Sequence, residues 1–315
     1  MGSPRIAGKY ELLAPVGEGG MASVWRGLVH GAAGFTKLVA IKRVRPELAE
    51  DRNFTAMFVE EARVVSSLQH PNIVQVYDFD KDESGAYFIV MEWIDGLDME
   101  AWVRAHSLGK SRVPWHLVTG MMVEVLRAVS AAHERLDENG NSAPVIHRDI
   151  NPANILVGVS CCVKLADFGL ARATDRAAMT NPGIVKGKLA YLSPEILKGA
   201  PASTSSDLYG VGIVLWEALS GKRLFWHKNP GEIVLKLAKG DVPPLAGERA
   251  DLPLALIEVV HAALALQPQD RFDSADEMLR TLTAILRTHP EPTDAKPIAW
   301  SVKLAQARLR EGPQP

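Results

Sequence analysis

The pattern of hydrophobic and polar positions divides the chain into two parts. Up to about residue 95, short runs of β-branched and aromatic residues are separated by polar turns, which is typical of strands. One helix interrupts these runs at residues 54–68, where apolar side chains recur with helical periodicity. The pattern predicts five strands, at residues 10–16, 24–29, 38–44, 73–79 and 86–93.

Beyond residue 95 the pattern becomes helical. Residues 206–220 are apolar nearly all round, which predicts a helix buried at the centre of a domain, with Gly221 as its C-cap. Ser274 and Glu277 have the spacing of a capping box. Further helices are predicted at residues 115–136, 253–266 and 274–286, and a possible short one at 298–309. The chain is therefore predicted to be α+β, with lobes at 8–95 and 96–289 and a tail at 290–315.

Composition narrows the class of protein. A chain of 315 residues is long enough for two lobes with separate cores, and 47% apolar with 23% charged residues is ordinary for a globular protein. The net charge of −2 gives no reason to expect nucleic acid or an anionic membrane as a partner. Neither a secretory leader nor an apolar run of about 20 residues is visible, so we expect a cytoplasmic chain with no membrane segment. The adjacent Cys161 and Cys162 are expected to be small core or turn residues.

Oxygen-bearing side chains cluster in the middle of the chain. Asp149 and Asn154 lie on a loop that Pro152 keeps from becoming helix, and Asp167 follows a short β-like run. Carboxylate and amide oxygens suit Mg²⁺, which prefers a few such ligands together with phosphate. A further carboxylate can accept a proton from a hydroxyl. Phosphoryl transfer requires these parts.

A glycine-rich stretch near the N-terminus could approach a phosphate. The run Gly17-Glu18-Gly19-Gly20-Met21-Ala22 lies between two predicted strands, and glycines let backbone N–H groups come close to a phosphate. The same letters satisfy the dinucleotide-binding pattern G-x-G-x-x-A, but that pattern should open a helix. Here β-prone residues follow, so a hairpin is favoured. A Walker A loop is excluded because no Gly-Lys-Ser/Thr follows.

Several motifs together resemble the protein kinases, in their order and spacing. The chain carries Val39-Ala40-Ile41-Lys42, then His147-Arg148-Asp149 with Asn154, then Asp167-Phe168-Gly169 and finally Ser193-Pro194-Glu195. The resemblance covers residues 8–286 and is strongest to bacterial Ser/Thr kinases of the eukaryotic-like (Hanks) type. It implies a bilobal fold, with a small antiparallel sheet and one main helix in the N-lobe and a larger, mainly helical C-lobe.

The resemblance also implies ATP and Mg²⁺ as cofactors. Asp149 would accept or orient the substrate hydroxyl proton, and Asn154 and Asp167 would hold Mg²⁺. Lys42 would hold the α and β phosphates, kept in place by Glu61. Glu61 is chosen because it lies on the apolar face of the predicted helix, whereas its neighbour Glu60 is rotated about 100° toward solvent.

The remaining nucleotide contacts are carried over by position. Loop amides would cover the phosphates, three apolar side chains would enclose the adenine, and a hinge would bind it through its backbone. Asp98 would contact the ribose or, alternatively, begin a helix. The implied nucleotide-binding residues are Val16, Gly17, Glu18, Gly19, Gly20, Met21, Ala22, Val24, Ala40, Lys42, Met91, Glu92, Trp93, Ile94, Asp98 and Leu156.

Further contacts follow from the same resemblance. Asp207 would anchor the catalytic loop, although it could also cap its helix, and Arg271 would pair with Glu195. Arg148 would bind a phosphate on the loop between Gly169 and Ser193. The hydroxyls available there are those of Thr174 and Thr180, which predicts autophosphorylation, through transient self-association of two copies.

Three positions depart from the family pattern. Ala22 replaces a loop glycine. Asn151 stands where Ser/Thr kinases carry a lysine that contacts the γ-phosphate, and Lys188 stands where they carry a threonine. We expect Lys188 to supply the missing positive charge, with Asn151 hydrogen-bonded nearby, so both count as catalytic. Ala153 removes a carboxylate found in some basophilic kinases, so a strong preference for upstream arginine is not implied.

The sequence thus predicts a kinase that transfers the γ-phosphate of ATP to protein hydroxyls in bacterial signalling. Two alternatives stay open. A pseudokinase scaffold would bind nucleotide with little or no phosphotransfer, as the departure at Asn151 allows. Small-molecule phosphotransfer on the same fold fits less well, because the Ser193-Pro194-Glu195 segment shapes a peptide groove in the family.

Overall fold

The computed structural model describes residues 5–19, 22–109, 111–168, 189–290 and 295–312, and only the backbone of residues 61 and 295. An antiparallel sheet of six strands forms the first lobe, in the order β1-β2-β3-β4-β6-β5. One helix, α1 (Arg52–Ser66), lies beside it. The strands are β1 (Arg5–Ile6), β2 (Tyr10–Glu18), β3 (Ala22–His30), β4 (Thr36–Val44), β5 (Val76–Lys81) and β6 (Tyr87–Glu92).

Two features of this sheet differ from the prediction. The sixth strand, β1, has only two residues, too few to show a periodicity. The predicted strand at 73–79 begins only at Val76. Ile73 instead forms a bridge with Leu165 of the other lobe, and the Val74 amide donates to the Leu165 carbonyl at 3.0 Å. These apolar residues therefore join the lobes rather than extend the sheet.

The glycine-rich stretch forms the end of the β2–β3 hairpin. Gly17 pairs with Val24 and Glu18 with Ser23, and the Gly19 amide donates to the Ala22 carbonyl at 2.9 Å. No helix begins here, so the dinucleotide-binding alternative is wrong.

The second lobe is mainly helical and surrounds the buried helix α5 (Thr204–Ser220), which packs against α3 and α8. The prediction of a central helix with Gly221 as a left-handed C-cap is confirmed. Ser203 and Ser206 form its capping box, so the alternative role of Asp207 as the cap is wrong. The other helices are α2 (Met99–Leu108), α3 (Trp115–His133), α4 (Pro194–Leu197), α6 (Pro230–Lys239), α7 (Leu245–Glu248), α8 (Leu254–Ala263), α9 (Ala275–Arg287) and α10 (Ala295–Glu311).

The predicted capping box at the start of α9 is half right. The Ser274 hydroxyl accepts a hydrogen bond from the Glu277 amide at 3.1 Å. The Glu277 carboxylate, however, accepts from the Asp273 amide at 2.9 Å rather than from Ser274. The side chain therefore reaches one residue further back than in the standard box.

A small antiparallel sheet lies where the two lobes meet. It comprises β7 (Gly96–Asp98), β8 (Ile155–Gly158) and β9 (Val163–Leu165). Cys161 and Cys162 lie half-buried between β8 and β9, and Cys161 has a φ of 73°, so the predicted turn position is confirmed. Together these strands bring the loop after β9 next to the loop before β8.

The tail forms a longer helix than the short one predicted. Helix α10 has 17 residues and docks on α2, β7 and β8, burying Ile298, Val302 and Ala305. Within the described ranges, no helix combines the length and the apolar character needed to cross a bilayer.

A buried histidine makes the stability of this fold depend on pH. His106 on α2 is 6% exposed and packs edge-on against Trp102, and burial, together with the nearby Arg308, lowers its pKa to about 4. The unfolded chain therefore binds a proton below about pH 6.5 that the folded chain excludes, so the free energy of unfolding falls as the pH falls. When the pH is lowered from about 7.5 to about 5, the free energy of unfolding of His106→Gln, measured by urea unfolding, should fall by about 2 kcal/mol less than that of the wild type. An identical pH dependence of the two proteins would show that His106 is not held neutral.

Candidate active site

A buried carboxylate fixes the loop that precedes β8. Asp207 of α5 is 2% exposed and accepts hydrogen bonds from the backbone amides of His147 at 2.8 Å and Arg148 at 2.9 Å. The same carboxylate accepts from His133 Nε2 at 2.8 Å. The loop is thus tied to the central helix, as the family resemblance implied.

His147 connects this loop to the end of β9. Its Nε2 donates to the Ala166 carbonyl at 2.9 Å, and its Nδ1 accepts from the Asp149 amide at 3.2 Å. Its ring lies 4.5 Å from that of Phe168. Burial lowers the pKa of His147, so the ring is neutral with its proton on Nε2.

Asp149 is positioned by two amide side chains. Asn151 Nδ2 donates to its carboxylate Oδ1 and to its carbonyl, each at 3.0 Å, and Asn154 Nδ2 donates to the same carbonyl at 2.8 Å. Asn151 also accepts from the Ala153 amide at 3.0 Å, which starts a 3₁₀ turn over Pro152–Asn154. The residue that replaces the family's lysine therefore contacts the proposed catalytic carboxylate directly.

The two candidate metal ligands are brought together by the backbone. The Ala166 amide donates to the Asn154 carbonyl at 2.9 Å, which places Asn154 beside Asp167. Because Asn154 uses its amide nitrogen to hold Asp149, its amide oxygen is left to bind a cation. No group of three or more acidic, His or Cys side chains that could hold a metal occurs among the described residues. Mg²⁺ fits such a pair, because it commonly takes one or two protein oxygens together with substrate phosphates.

Lys42 reaches this site from the first lobe. It is 4% exposed, and its Nζ lies 2.6 Å from Asp167 Oδ1. With Asp167, Phe168 and Met91 it lines one small cavity at the back of the cleft. The Glu61 side chain, its predicted partner, lies outside the described residues.

The predicted adenine-binding residues lie on neighbouring strands. Ala40 on β4 is opposite Met91 on β6, and Val24 on β3 is opposite Lys42. On the other lobe, Leu156 of β8 is paired with Asp98 of β7. The register therefore collects these side chains at the junction of the lobes.

The hinge residues differ in what they can offer a ligand. The Glu92 carboxylate accepts from the Gln75 amide at 2.7 Å and from Lys164 Nζ at 2.5 Å, and the Glu92 amide donates to the Gln75 carbonyl at 2.9 Å, so neither group is available to a base. Arg26 lies over the Trp93 ring at 5.5 Å, and the half-buried Ile94 follows. Lys164 is not predictable from the sequence, because only a tertiary contact identifies it.

Asp98 caps helix α2, which is the alternative role predicted for it from the sequence. Its side chain accepts from the Ala101 amide at 2.7 Å and so caps α2, while burial raises its pKa. A ribose contact stays a prediction. At the glycine-rich hairpin Val16 is 57% exposed, and Gly20 and Met21 lie outside the described residues.

A second set of polar contacts lies on the expected peptide side. Arg271 donates two hydrogen bonds of 2.8 Å to Glu195, as the resemblance implied. Tyr191 donates to Glu217 at 2.7 Å, and Arg223 contacts both residues. This cluster was not predicted from the sequence. Its signal was Glu217, the only charged residue in the apolar run 208–219.

The remaining predicted residues fall in the range 169–188, which lies outside the described part of the chain. They are Gly169, Thr174, Thr180 and Lys188. Among the described atoms, Arg148 Nε is buried without a hydrogen-bond partner, and Arg148 adopts a left-handed φ of 68°.

Comparison with known proteins agrees with this geometry. The model of the protein kinase domain matches residues 10–282. Tyrosine-protein kinase MasK of Myxococcus xanthus is 35% identical over 94% of this chain and 46% of its own length. Serine/threonine-protein kinase PrkC of Bacillus subtilis is 32% identical over 96% of this chain and 46% of its own. This chain thus spans less than half the length of both relatives.

A solved structure supports the same assignment. The crystal structure of the Mycobacterium tuberculosis PknI kinase domain superimposes with a TM-score of 0.65 at 27% identity, covering 90% of this chain and 98% of that one. The bilobal architecture predicted from the sequence is therefore confirmed. The chain belongs to the protein kinase family, among its bacterial Hanks-type Ser/Thr kinases.

Proposed function

We propose that this chain is an ATP-dependent protein kinase that transfers the γ-phosphate to Ser or Thr hydroxyls of proteins. The observation that carries the proposal is a pair of hydrogen bonds, from Asn154 Nδ2 to the Asp149 carbonyl and from the Ala166 amide to the Asn154 carbonyl, which bring Asp167 to the same site, with Lys42 on Asp167. A nucleophile-orienting carboxylate, two metal ligands and a phosphate-binding cation are the parts of phosphoryl transfer.

Each residue has a distinct task in the proposed reaction. Asp149 orients the acceptor hydroxyl and takes its proton as the oxygen bonds to the γ-phosphorus and the bond to the β-phosphate oxygen breaks. Asn154 and Asp167 hold Mg²⁺, which when bound neutralises phosphate charge. Lys42 binds the α and β phosphates. The hydrogen bond from Asn151 keeps the Asp149 carboxylate oriented before a substrate arrives.

The names of the relatives disagree on which type of residue carries the acceptor hydroxyl. PrkC is named a serine/threonine kinase and MasK a tyrosine kinase. We propose Ser/Thr, as in the branch to which the chain belongs. Phosphoamino-acid analysis of a labelled protein substrate distinguishes the two, and phosphotyrosine alone would overturn the choice.

Regulation and location extend the proposal. The half-buried Arg148, whose Nε is buried without a hydrogen-bond partner, is suited to receive a phosphate, and Thr174 or Thr180 would supply it after autophosphorylation between transiently associated copies. We place this activity in bacterial signalling in the cytoplasm.

Replacing the proposed base tests the function directly. Asp149→Asn should lower the turnover of a peptide substrate by about three orders of magnitude, while the dissociation constant for ATP stays close to that of wild type, because Asp149 contacts the acceptor rather than the nucleotide. Turnover follows transfer of labelled phosphate, and affinity follows from calorimetric titration. Glu83→Gln, the same chemical change at an exposed residue, is the control. Weak ATP binding with intact turnover would contradict the assignment. If the wild-type protein itself bound ATP but showed no turnover, that result would instead establish the pseudokinase alternative.

The missing lysine gives a second test. We expect Lys188 to provide the positive charge that Asn151 cannot, so Lys188→Ala should lower turnover about a hundredfold. Adding Asn151→Lys should restore part of the loss, since a cation returns beside the γ-phosphate. Lys198→Ala, at an exposed lysine later in the sequence, is the control. Turnover of Lys188→Ala equal to that of wild type would rule out this role.

A further inference from the structure

Helix α10 lies beyond the part of the chain that the family accounts for. The family match ends at residue 282, and α10 begins at Ala295. It nevertheless docks on α2, β7 and β8. Strand β7 contains Asp98, which also caps α2, and β8 contains Leu156; both residues are proposed nucleotide contacts. A helix without an assigned role therefore lies directly behind the floor of the cleft.

Two polar contacts from α10 bracket Asp98. The Ser301 hydroxyl accepts a hydrogen bond from Trp102 Nε1 at 2.6 Å, and both residues are buried. Trp102 lies one helical turn after Asp98 on α2. On the other side, Gln306 Nε2 donates to the Gly96 carbonyl at 3.4 Å, two residues before Asp98.

Close packing leaves this region little room to adjust. A Cβ on Gly96 would lie 2.0 Å from the Val157 carbonyl oxygen, so β7 lies tightly against β8. At the far end of α2, the Arg308 guanidinium lies beside Gly109, and Arg308 donates to the Ser111 hydroxyl at 3.1 Å. Helix α10 therefore holds both ends of α2 as well as the strand that precedes it.

We propose that α10 is a positioning element of the nucleotide site, in which Ser301 and Gln306 set the places of Asp98 and, through β7, of Leu156. Neither residue needs to touch the ligand. The Asp98 carboxylate caps α2, so a rotation or shift of that helix also moves the carboxylate. The inference rests on the proposed function only in taking the cleft as a nucleotide site.

The test measures nucleotide binding and catalysis separately, in the full chain. Ser301→Ala leaves the buried Trp102 N–H without its acceptor, and Gln306→Ala releases the Gly96 carbonyl. Each should raise the dissociation constant for Mg-ADP and the KM for ATP about fivefold to tenfold, with kcat within about twofold of wild type. Ser301→Thr, which retains the hydroxyl, should restore wild-type values. Trp300→Ala and Lys303→Ala, exposed on the same helix, are the controls.

The outcomes separate this inference from the proposed function. Lower melting temperatures with unchanged affinity and KM would mean that α10 only stabilises the fold, and would overturn the inference. Should Ser301→Ala fail to fold, Gln306→Ala decides alone. A wild type that binds Mg-ADP but transfers no phosphate overturns the proposed function, while the dissociation constants still test α10. A wild type that binds no nucleotide overturns both.

Discussion

The Asp207 carboxylate is the contact on which the catalytic loop depends. Burying a charge inside a protein is costly unless hydrogen bonds replace its water, and here two backbone amides and one imidazole N–H do so. Those amides belong to His147 and Arg148, the residues just before Asp149. The left-handed backbone of Arg148, unfavourable for a residue with a side chain, is held by this contact. The most deeply buried helix of the second lobe thereby fixes the start of the loop.

The rest of the site is assembled from that start mainly by the backbone. The His147 ring donates to the Ala166 carbonyl, and the Ala166 amide donates to the Asn154 carbonyl. The Asn154 side chain in turn donates to the Asp149 carbonyl. These contacts place the Asp149 and Asp167 carboxylates and the oxygen of the Asn154 amide at the proposed site of phosphoryl transfer. Such preorganisation lowers a barrier because little has to rearrange during the reaction. The ion pair between Lys42 and Asp167 then connects the first lobe to the second.

The larger elements are predictable from the sequence, because they depend on local pattern. The central helix is apolar nearly all round, and the sheet strands are short runs of β-branched and aromatic residues between polar turns, so the local pattern alone predicts them. The local pattern fails where a residue's partner is distant in sequence. Ile73 looks like part of a strand but pairs with Leu165 in an isolated bridge, and Glu92 looks like a free hinge side chain but binds Lys164. The sequence leaves two roles open for Asp98, a ribose contact and a helix cap, because both roles place the residue at the start of α2.

The central claim is that Asp207 organises the catalytic loop for phosphoryl transfer, and Asp207→Asn tests it most directly. In the asparagine variant an NH₂ group replaces one carboxylate oxygen. That NH₂ group faces a backbone N–H that donates to the oxygen in the wild type, so two donors meet and one hydrogen bond is lost. The measurement is turnover with saturating ATP and peptide, beside the calorimetric affinity for Mg-ADP. The account predicts a loss of turnover of about a hundredfold with affinity nearly unchanged, because the loop and not the nucleotide cleft is released. Turnover within about twofold of wild type, in a variant that stays folded, would contradict it.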